Sequence, residues 1–203
     1  MTANNLYQDD LPDNLDLTDQ VAIDTEAMGL DNKRDRLCLI QLSSGNGSTH
    51  LVQIAKDKKP APNLCKLLED KNILKIFHYA RFDVAILQNH FNIKVQNTYC
   101  TKIASKLART YSDSHGLKTL ISEFLKIDIS KKQQSSDWGA ATISKEQIKY
   151  AACDVLYLHR LKDHLNVMLL REGRLSLAQK CFNFINNRVE LDLEGFKDDI
   201  FSH

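Results

Sequence analysis

The chain has 203 residues, 43% of them hydrophobic and 26% charged, with a formal net charge of +1. That length suits one domain with a full core and a helical extension, and the composition is ordinary for a globular protein in water. A charge so near zero argues against a tight grip on long duplex nucleic acid, which needs a clear basic excess. No apolar run is long enough for a transmembrane helix. Residues 1–19 are polar and acidic and lack the apolar segment of a secretory signal. Cys38, Cys65, Cys100, Cys153 and Cys181 show no Cys-x-x-Cys spacing. They read as reduced thiols in a cytoplasmic protein and not as a zinc site.

In chain order, residues 1–19 mix Asp, Asn and Pro and predict a loose lead-in with a short edge strand at most. Residues 21–24 are a short apolar run ending in an acid, the pattern of a buried strand. Strands over 37–42 and 49–54 follow, separated by the turn-rich stretches 29–32 and 43–47, which together predict an antiparallel meander. The period then changes to a helix over 63–69, a strand over 73–77 and a helix over 80–90. A further strand over 96–100 leads into a helix over 101–108. Gly116 opens another helix, with Leu117, Leu120, Ile121, Phe124 and Leu125 on one face. Residues 130–142 read as an ordered polar loop around Trp138. Ser144 and Gln147 form a capping box for a long helical run carrying Tyr150 and Asp154. After Gly173 comes a last helix to about residue 188, then a short tail. The expected fold is one α/β domain over 1–203, with its core at about 20–170, a mixed central sheet flanked by helices, and a helical end over 171–203.

Residues four apart in a helix lie one above the other, which sets the Tyr150 phenol beside the Asp154 carboxylate. Leu156, Leu158 and Leu161 follow at core spacing and anchor that helix. Alone, the pair reads as a hydrogen bond on a helix face. Two upstream acidic sites change its weight. Asp24 and Glu26, two apart on a strand, point to one side of the sheet. Burying both there costs several kcal/mol unless a cation neutralises them. The plain alternative has one of them cap a loop and leaves the other in water. Asp83 falls in the first turn of the helix over 80–90, where the helix dipole favours a carboxylate. Four carboxylates at the ends of apolar elements make a hard oxygen donor set for Mg2+ or Mn2+. Two such ions roughly 3.5–4 Å apart stabilise both oxygens of an in-line phosphoryl displacement. Tyr150 is placed to orient or deprotonate the attacking water.

The stretches DTE at 24–26, HYARFD at 78–83 and YAACD at 150–154 resemble the motifs of the DEDD exonuclease superfamily, with its ribonuclease H-like fold. Residues 116–158 are similar to ribonuclease D almost throughout, and the resemblance spans about 20–165. A histidine subclass places His five residues before the last Asp. Here that position is Lys149, and Tyr150 lies four before, which marks the tyrosine subclass. The resemblance implies that Asp24, Glu26, Asp83 and Asp154 bind two divalent cations, Mg2+ or Mn2+, and that Tyr150 holds the water. It implies 3'-to-5' hydrolysis releasing nucleoside 5'-monophosphates.

Two features depart from ribonuclease D. Only residues 171–203 follow the core, too few for its helical accessory (HRDC) domains. And Ala27-Met28-Gly29-Leu30 resembles a turn of oligoribonuclease, whose leucine four residues past the Glu wedges between the two bases of a dinucleotide. Body, length and turn together resemble the nano-RNase C family of short bacterial enzymes that clear di- and oligoribonucleotides. That family implies a homo-oligomer, a ring-like octamer, and near-zero charge agrees with a two-nucleotide substrate. The expected substrate contacts are Thr25, Met28, Gly29, Leu30, His78, Gln134 and Trp138, with a cap for the 5' end drawn from 133–136 or 109–115. Plainer readings accompany several of them: a helix-entry hydrogen bond for His78, core packing for Trp138, a solvated loop for Lys131 and Lys132. The alternative functions are a ribonuclease D-like trimming enzyme acting on longer RNA or DNA ends, and a catalytically silent nucleic-acid-binding module. Leu175, Leu177, Phe182, Phe184 and Ile185 point to a subunit interface.

Overall fold

The computed structural model describes residues 3–57, 59–129, 136–196, 198 and 200–203. Six strands form one mixed sheet: β1 (Asn4–Gln8), β2 (Gln20–Ala27), β3 (Leu37–Ser43), β4 (Thr49–Gln53), β5 (Leu74–Phe77) and β6 (Thr98–Cys100). Their order is β1-β4-β3-β2-β5-β6. The expected meander is present, because β2, β3 and β4 pair antiparallel through short turns. The acidic lead-in supplies the edge strand β1, which joins β4 in parallel. β5 and β6 continue the sheet parallel to β2. Parallel neighbours need a crossover, and α1 (Pro62–Glu69) and α2 (Ala80–Phe91) provide it.

Helices cover the middle of the sheet on both faces, so β3 is buried at every position. Ile40 and Leu42 enter the main core, while Leu39 joins a smaller one with Leu51, Trp138, Ile143 and Ala151. That smaller core lies under α5 (Lys145–Leu156), which packs across β2, β3 and β4. α3 (Thr101–Ala108), α6 (Leu158–Arg171) and α7 (Leu175–Glu194) pack on one another and close the β5–β6 side.

The structure differs from expectation in three helices. The long run after Ser144 bends at Tyr157 (φ −109, ψ −4) into α5 and α6. The bend lets α5 cover the acid-bearing strands while α6 packs against α3 and α7. The helix after Gly116 is α4 (Leu117–Leu120), which widens at once into a π-helical turn over Ile121–Leu125. α7 runs beyond residue 188 to Glu194 and stops at Gly195, φ +100. Asp192 holds that last turn by pairing with Arg188 at 2.7 Å and Arg81 at 2.6 Å. Of the loop over 130–142, residues 130–135 lie outside the described residues, Gln134, Lys131 and Lys132 among them. No helix among the described residues is long and apolar enough to cross a membrane.

Candidate active site

Three of the four expected acids meet at one point. β2 buries Val21, Ala22 and Ile23 fully, then projects Asp24 and Glu26 on one side and Thr25 on the other. A register shift between Glu26 and Ala27 turns the strand out of the sheet, the kind of bulge that re-aims side chains beside active sites. Across from it, α5 starts with the expected capping box. Ser144 Oγ accepts the Gln147 N–H at 3.2 Å, and Gln147 Oε1 accepts the Ser144 N–H at 2.9 Å. Gln147 Nε2 also donates to the Asp137 carbonyl at 3.1 Å, tying the helix start to the loop before it. One turn on, the Tyr150 phenol hydrogen-bonds the Asp154 carboxylate. Carboxylate oxygens of Asp24, Glu26 and Asp154 lie within 4.8 Å of one another. Asp83, in the first turn of α2, stands one hydrogen bond away: Thr25 Oγ1 donates to its Oδ1 at 2.7 Å.

Burial is the first cause that raises every one of these acids, and repulsion from neighbouring acids adds to it at Asp24, Glu26 and Asp83. Asp24 is held well above the carboxylate range by burial and then by the charges of Asp83, Asp154 and Glu26. Glu26 is pushed up to about 8, Asp83 to about 7 and Asp154 to about 6. Burial and the same acids raise the Tyr150 phenol, so it keeps its proton at neutral pH. Such a cluster fits a divalent cation. Its donors are hard oxygens close enough to share an ion, and they are costly to leave ionised without one.

This has a consequence for stability. From the ordinary carboxylate range up to about pH 8, the metal-free fold holds protons that the unfolded chain has shed, so stability falls as pH rises through the folded values. Groups lowered in the fold work the opposite way. His50, His78, His115 and His159 do so through burial, mostly below and around their ordinary 6.5. The paired Asp9, Asp35 and Asp192 do so only at acid pH, and Lys75, lowered to about 8, above that. Metal-free protein should therefore melt lower at pH 8 than at pH 6.5, by more than about 2 °C. Excess Mg2+ or Mn2+ should restore it, and more so at pH 8. Calorimetric scans with EDTA and with metal check this, and a metal-free melting temperature that rises over the same interval would remove the electrostatic argument.

The acids open into a cavity of about 690 Å³ whose wall includes Met28, Gly29, Leu30, His78, Lys118, Ser136, Trp138 and Tyr150. Leu30 is 88% exposed at its mouth. The turn that presents it is tightly closed. The Asp35 carboxylate accepts the Asp31 N–H at 2.9 Å, and a Cβ on Gly29 would fall 2.1 Å from that carboxylate. Met28, largely exposed, lies against the backbone of Gly139, where an added Cβ would meet its sulfur at 2.9 Å. Arg36 bridges the same two segments by donating to the Gly139 carbonyl at 3.3 Å. His78 shares a 2.8 Å hydrogen bond with Thr101 Oγ1, and burial drives its pKa to about 3, so the ring is neutral. Trp138 is 4% exposed and packs 6.1 Å from the Tyr150 ring, as core packing requires, while still lining the cavity.

Lys118 is the residue that the sequence reading passed over. It is the one lysine or arginine among the described residues lining the cavity. Its Nζ lies 4.8 Å from the centre of the Tyr150 ring, and its charge draws down Glu26 and Asp154. A signal existed. A lysine in the first turn of a helix opposes the helix dipole, so an anion nearby is the expected compensation.

A mixed sheet flanked by helices, with carboxylates converging at the end of one strand beneath a helix-borne Tyr and Asp, defines a ribonuclease H-like exonuclease fold. Residues 8–170 match the 3'-5' exonuclease family model, and the chain belongs to that family. It is similar over its whole length to NrnC of Brucella melitensis in two structures: one with bound Mg2+ (51% identity, 100% of both chains, TM-score 0.95) and one bound to pGG (51%, 100% of both chains, TM-score 0.96). It is 32% identical to ribonuclease D of Granulibacter bethesdensis over 82% of this chain and 42% of that protein. The chain thus spans about two fifths of the length of the curated ribonuclease D relatives it matches.

Proposed function

We propose that this chain is a metal-dependent 3'-5' exonuclease that hydrolyses short oligoribonucleotides, dinucleotides above all, to nucleoside 5'-monophosphates. The observation that carries this is the convergence of three carboxylates within 4.8 Å beneath Tyr150, in a cavity whose mouth holds Leu30. The likeness to an NrnC bound to pGG supports a dinucleotide, and the likeness to an NrnC with bound Mg2+ supports a divalent cation.

Asp24, Glu26, Asp83 and Asp154 would hold two cations, Mg2+ or Mn2+, which supply Lewis acidity to the attacking and leaving oxygens of the phosphoryl displacement. Tyr150 keeps its O–H on Asp154 and uses its free lone pair to accept a hydrogen bond from the attacking water, which fixes the direction of attack. The Lys118 ammonium, beside the phenol ring, faces the phosphate and offsets charge that the acids concentrate. Thr25 holds Asp83 in place. Leu30 separates the two terminal bases, while Met28 and Gly29 shape its turn. His78, Trp138 and Gln134 remain candidate substrate contacts. A neutral His78 ring offers a hydrogen bond without a charge.

Turnover of RNAs from two to ten nucleotides, with metal and with EDTA, tests the reading. Activity should need metal and peak at the dinucleotide. Leu30→Ala should cost about 10-fold in kcat/KM on the dinucleotide, the scale of one apolar contact, and leave the ten-mer nearly unchanged. Equal activity at every length would move the protein to a trimming role on longer RNA or DNA ends. No activity with either metal would leave only a binding module.

The chain is also proposed to act as a cytoplasmic homo-oligomer. Its five free cysteines suit a reducing compartment. Leu175, Leu177, Phe184, Phe196, Ile200 and Phe201 are each exposed in the C-terminal helix and tail, with the Phe184 and Phe201 rings 6.2 Å apart, an apolar surface that suits a subunit interface. Phe182 and Ile185, first counted with that surface, are instead buried against the core. Sedimentation of a monomer at micromolar concentration would end the proposal.

A further inference from the structure

The register of β2 and β3 sets Gln41 directly opposite Asp24. Directly opposed residues of an antiparallel pair leave the same face of the sheet, with Cβ atoms about 4.5–5.5 Å apart. On its other side Gln41 faces Leu51 of β4, and α5, the helix of Asp154, packs over this face. Gln41 has no exposed surface, and neither its Nε2 nor its Oε1 meets a hydrogen-bond partner among the described residues. Buried amides are satisfied almost without exception, so one with both ends unmet asks for a reason. Packing does not supply it. The neighbours on this face, Leu39, Leu51 and Ala151, form an apolar core in which a leucine would serve better.

Asp24 supplies the reason. Its carboxylate accepts the Thr25 backbone N–H and otherwise faces other acids. A carboxylate anion has about four lone-pair sites, more than one backbone N–H and a cation fill, and the register sets Gln41 beside it. We infer that Gln41 is a positioning residue, whose amide N–H donates to Asp24 once the site is loaded with divalent cations and so fixes the carboxylate's orientation. The side-chain type suits the task. A lysine or arginine there would compete with the cation for Asp24, whereas an amide orients the carboxylate and adds no charge. Outer partners of this kind set ligand orientation and are worth about 10- to 100-fold in metal affinity.

The inference rests on the cation-dependent reading of the site, and the test separates the two. Mn2+ and Mg2+ are titrated calorimetrically into the wild type, Gln41→Leu and Gln41→Met, and each metal-free protein is melted. Both substitutions keep the volume and remove the donor. The expected result is a metal-free melting temperature equal to or above the wild type, with Mn2+ affinity lowered about 10-fold or more. Affinity within twofold of the wild type would overturn the inference, and so would two metal-free variants that melt well below it, because the amide would then serve the fold. A wild type that binds neither metal would instead sink the metal reading itself.

Discussion

Asp24→Asn is expected to lower turnover by at least ~10³-fold, about 4 kcal/mol of transition-state stabilisation, while raising the melting temperature of the metal-free protein at pH 8. The two effects share a cause. Burial raises Asp24 first of all, and the charges of Asp83, Asp154 and Glu26 add to it. An amide of the same shape is neutral without taking up a proton, so the cost of burying an acid there is gone and the metal-free fold gains at pH 8. The same change removes a ligand from the point where Asp24, Glu26 and Asp154 oxygens come within 4.8 Å, so the bound cations lose the geometry that makes them useful. Opposite signs matter here, because a substitution that merely damaged the fold would lower both quantities. Steady-state assay on a dinucleotide and calorimetric melting in EDTA check it. Activity within tenfold of the wild type would show that the donor set lies elsewhere, and a lower metal-free melting temperature would show that the carboxylate serves the fold.

The acids were legible in the sequence because each ends an element whose pattern is plain. Asp24 closes a three-residue apolar run, Asp83 falls in a first helical turn, and Asp154 follows Tyr150 by one turn under a capping box. Those are local signals, and local chemistry settles them. What stayed hidden depends on pairing between distant segments. Gln41 is one polar letter in the apolar run of β3, and only the register places it opposite Asp24. Lys118 is a lysine near a helix start, and only the packing of α5 brings the Tyr150 ring beside it. The approach of Met28 to Gly139 brings together two loops that no sequence window contains. Along α7, both Phe182 and Phe184 are hydrophobic letters, yet the first is buried and the second exposed. Composition alone does not phase a helix when apolar residues fall on more than one of its faces. The bend at Tyr157 escaped for a related reason, since helical period continues on both sides of it.

Tyr150→Phe carries the second large effect, a fall in kcat of about 10²- to 10³-fold with the fold intact. The ring should keep its place, because it packs 6.1 Å from Trp138 and lies under the Lys118 ammonium, and phenylalanine preserves both contacts. What disappears is the hydroxyl, and with it two functions. In the role proposed for Tyr150, the attacking water loses the oxygen that aims it, which costs turnover at every pH. Asp154 loses a hydrogen bond that holds its pKa down against burial, so its pKa moves above the present value of about 6. A higher pKa means that protons compete longer with metal for that carboxylate. The variant should therefore need more Mg2+ than the wild type at pH 6.5, with the difference narrowing at pH 8 as Asp154 ionises in both proteins. Measuring kcat across metal concentrations at the two pH values separates the losses. A turnover defect without any change in metal requirement would confine Tyr150 to the water, and a phenylalanine variant within threefold of wild-type kcat would mean that some other group aims it.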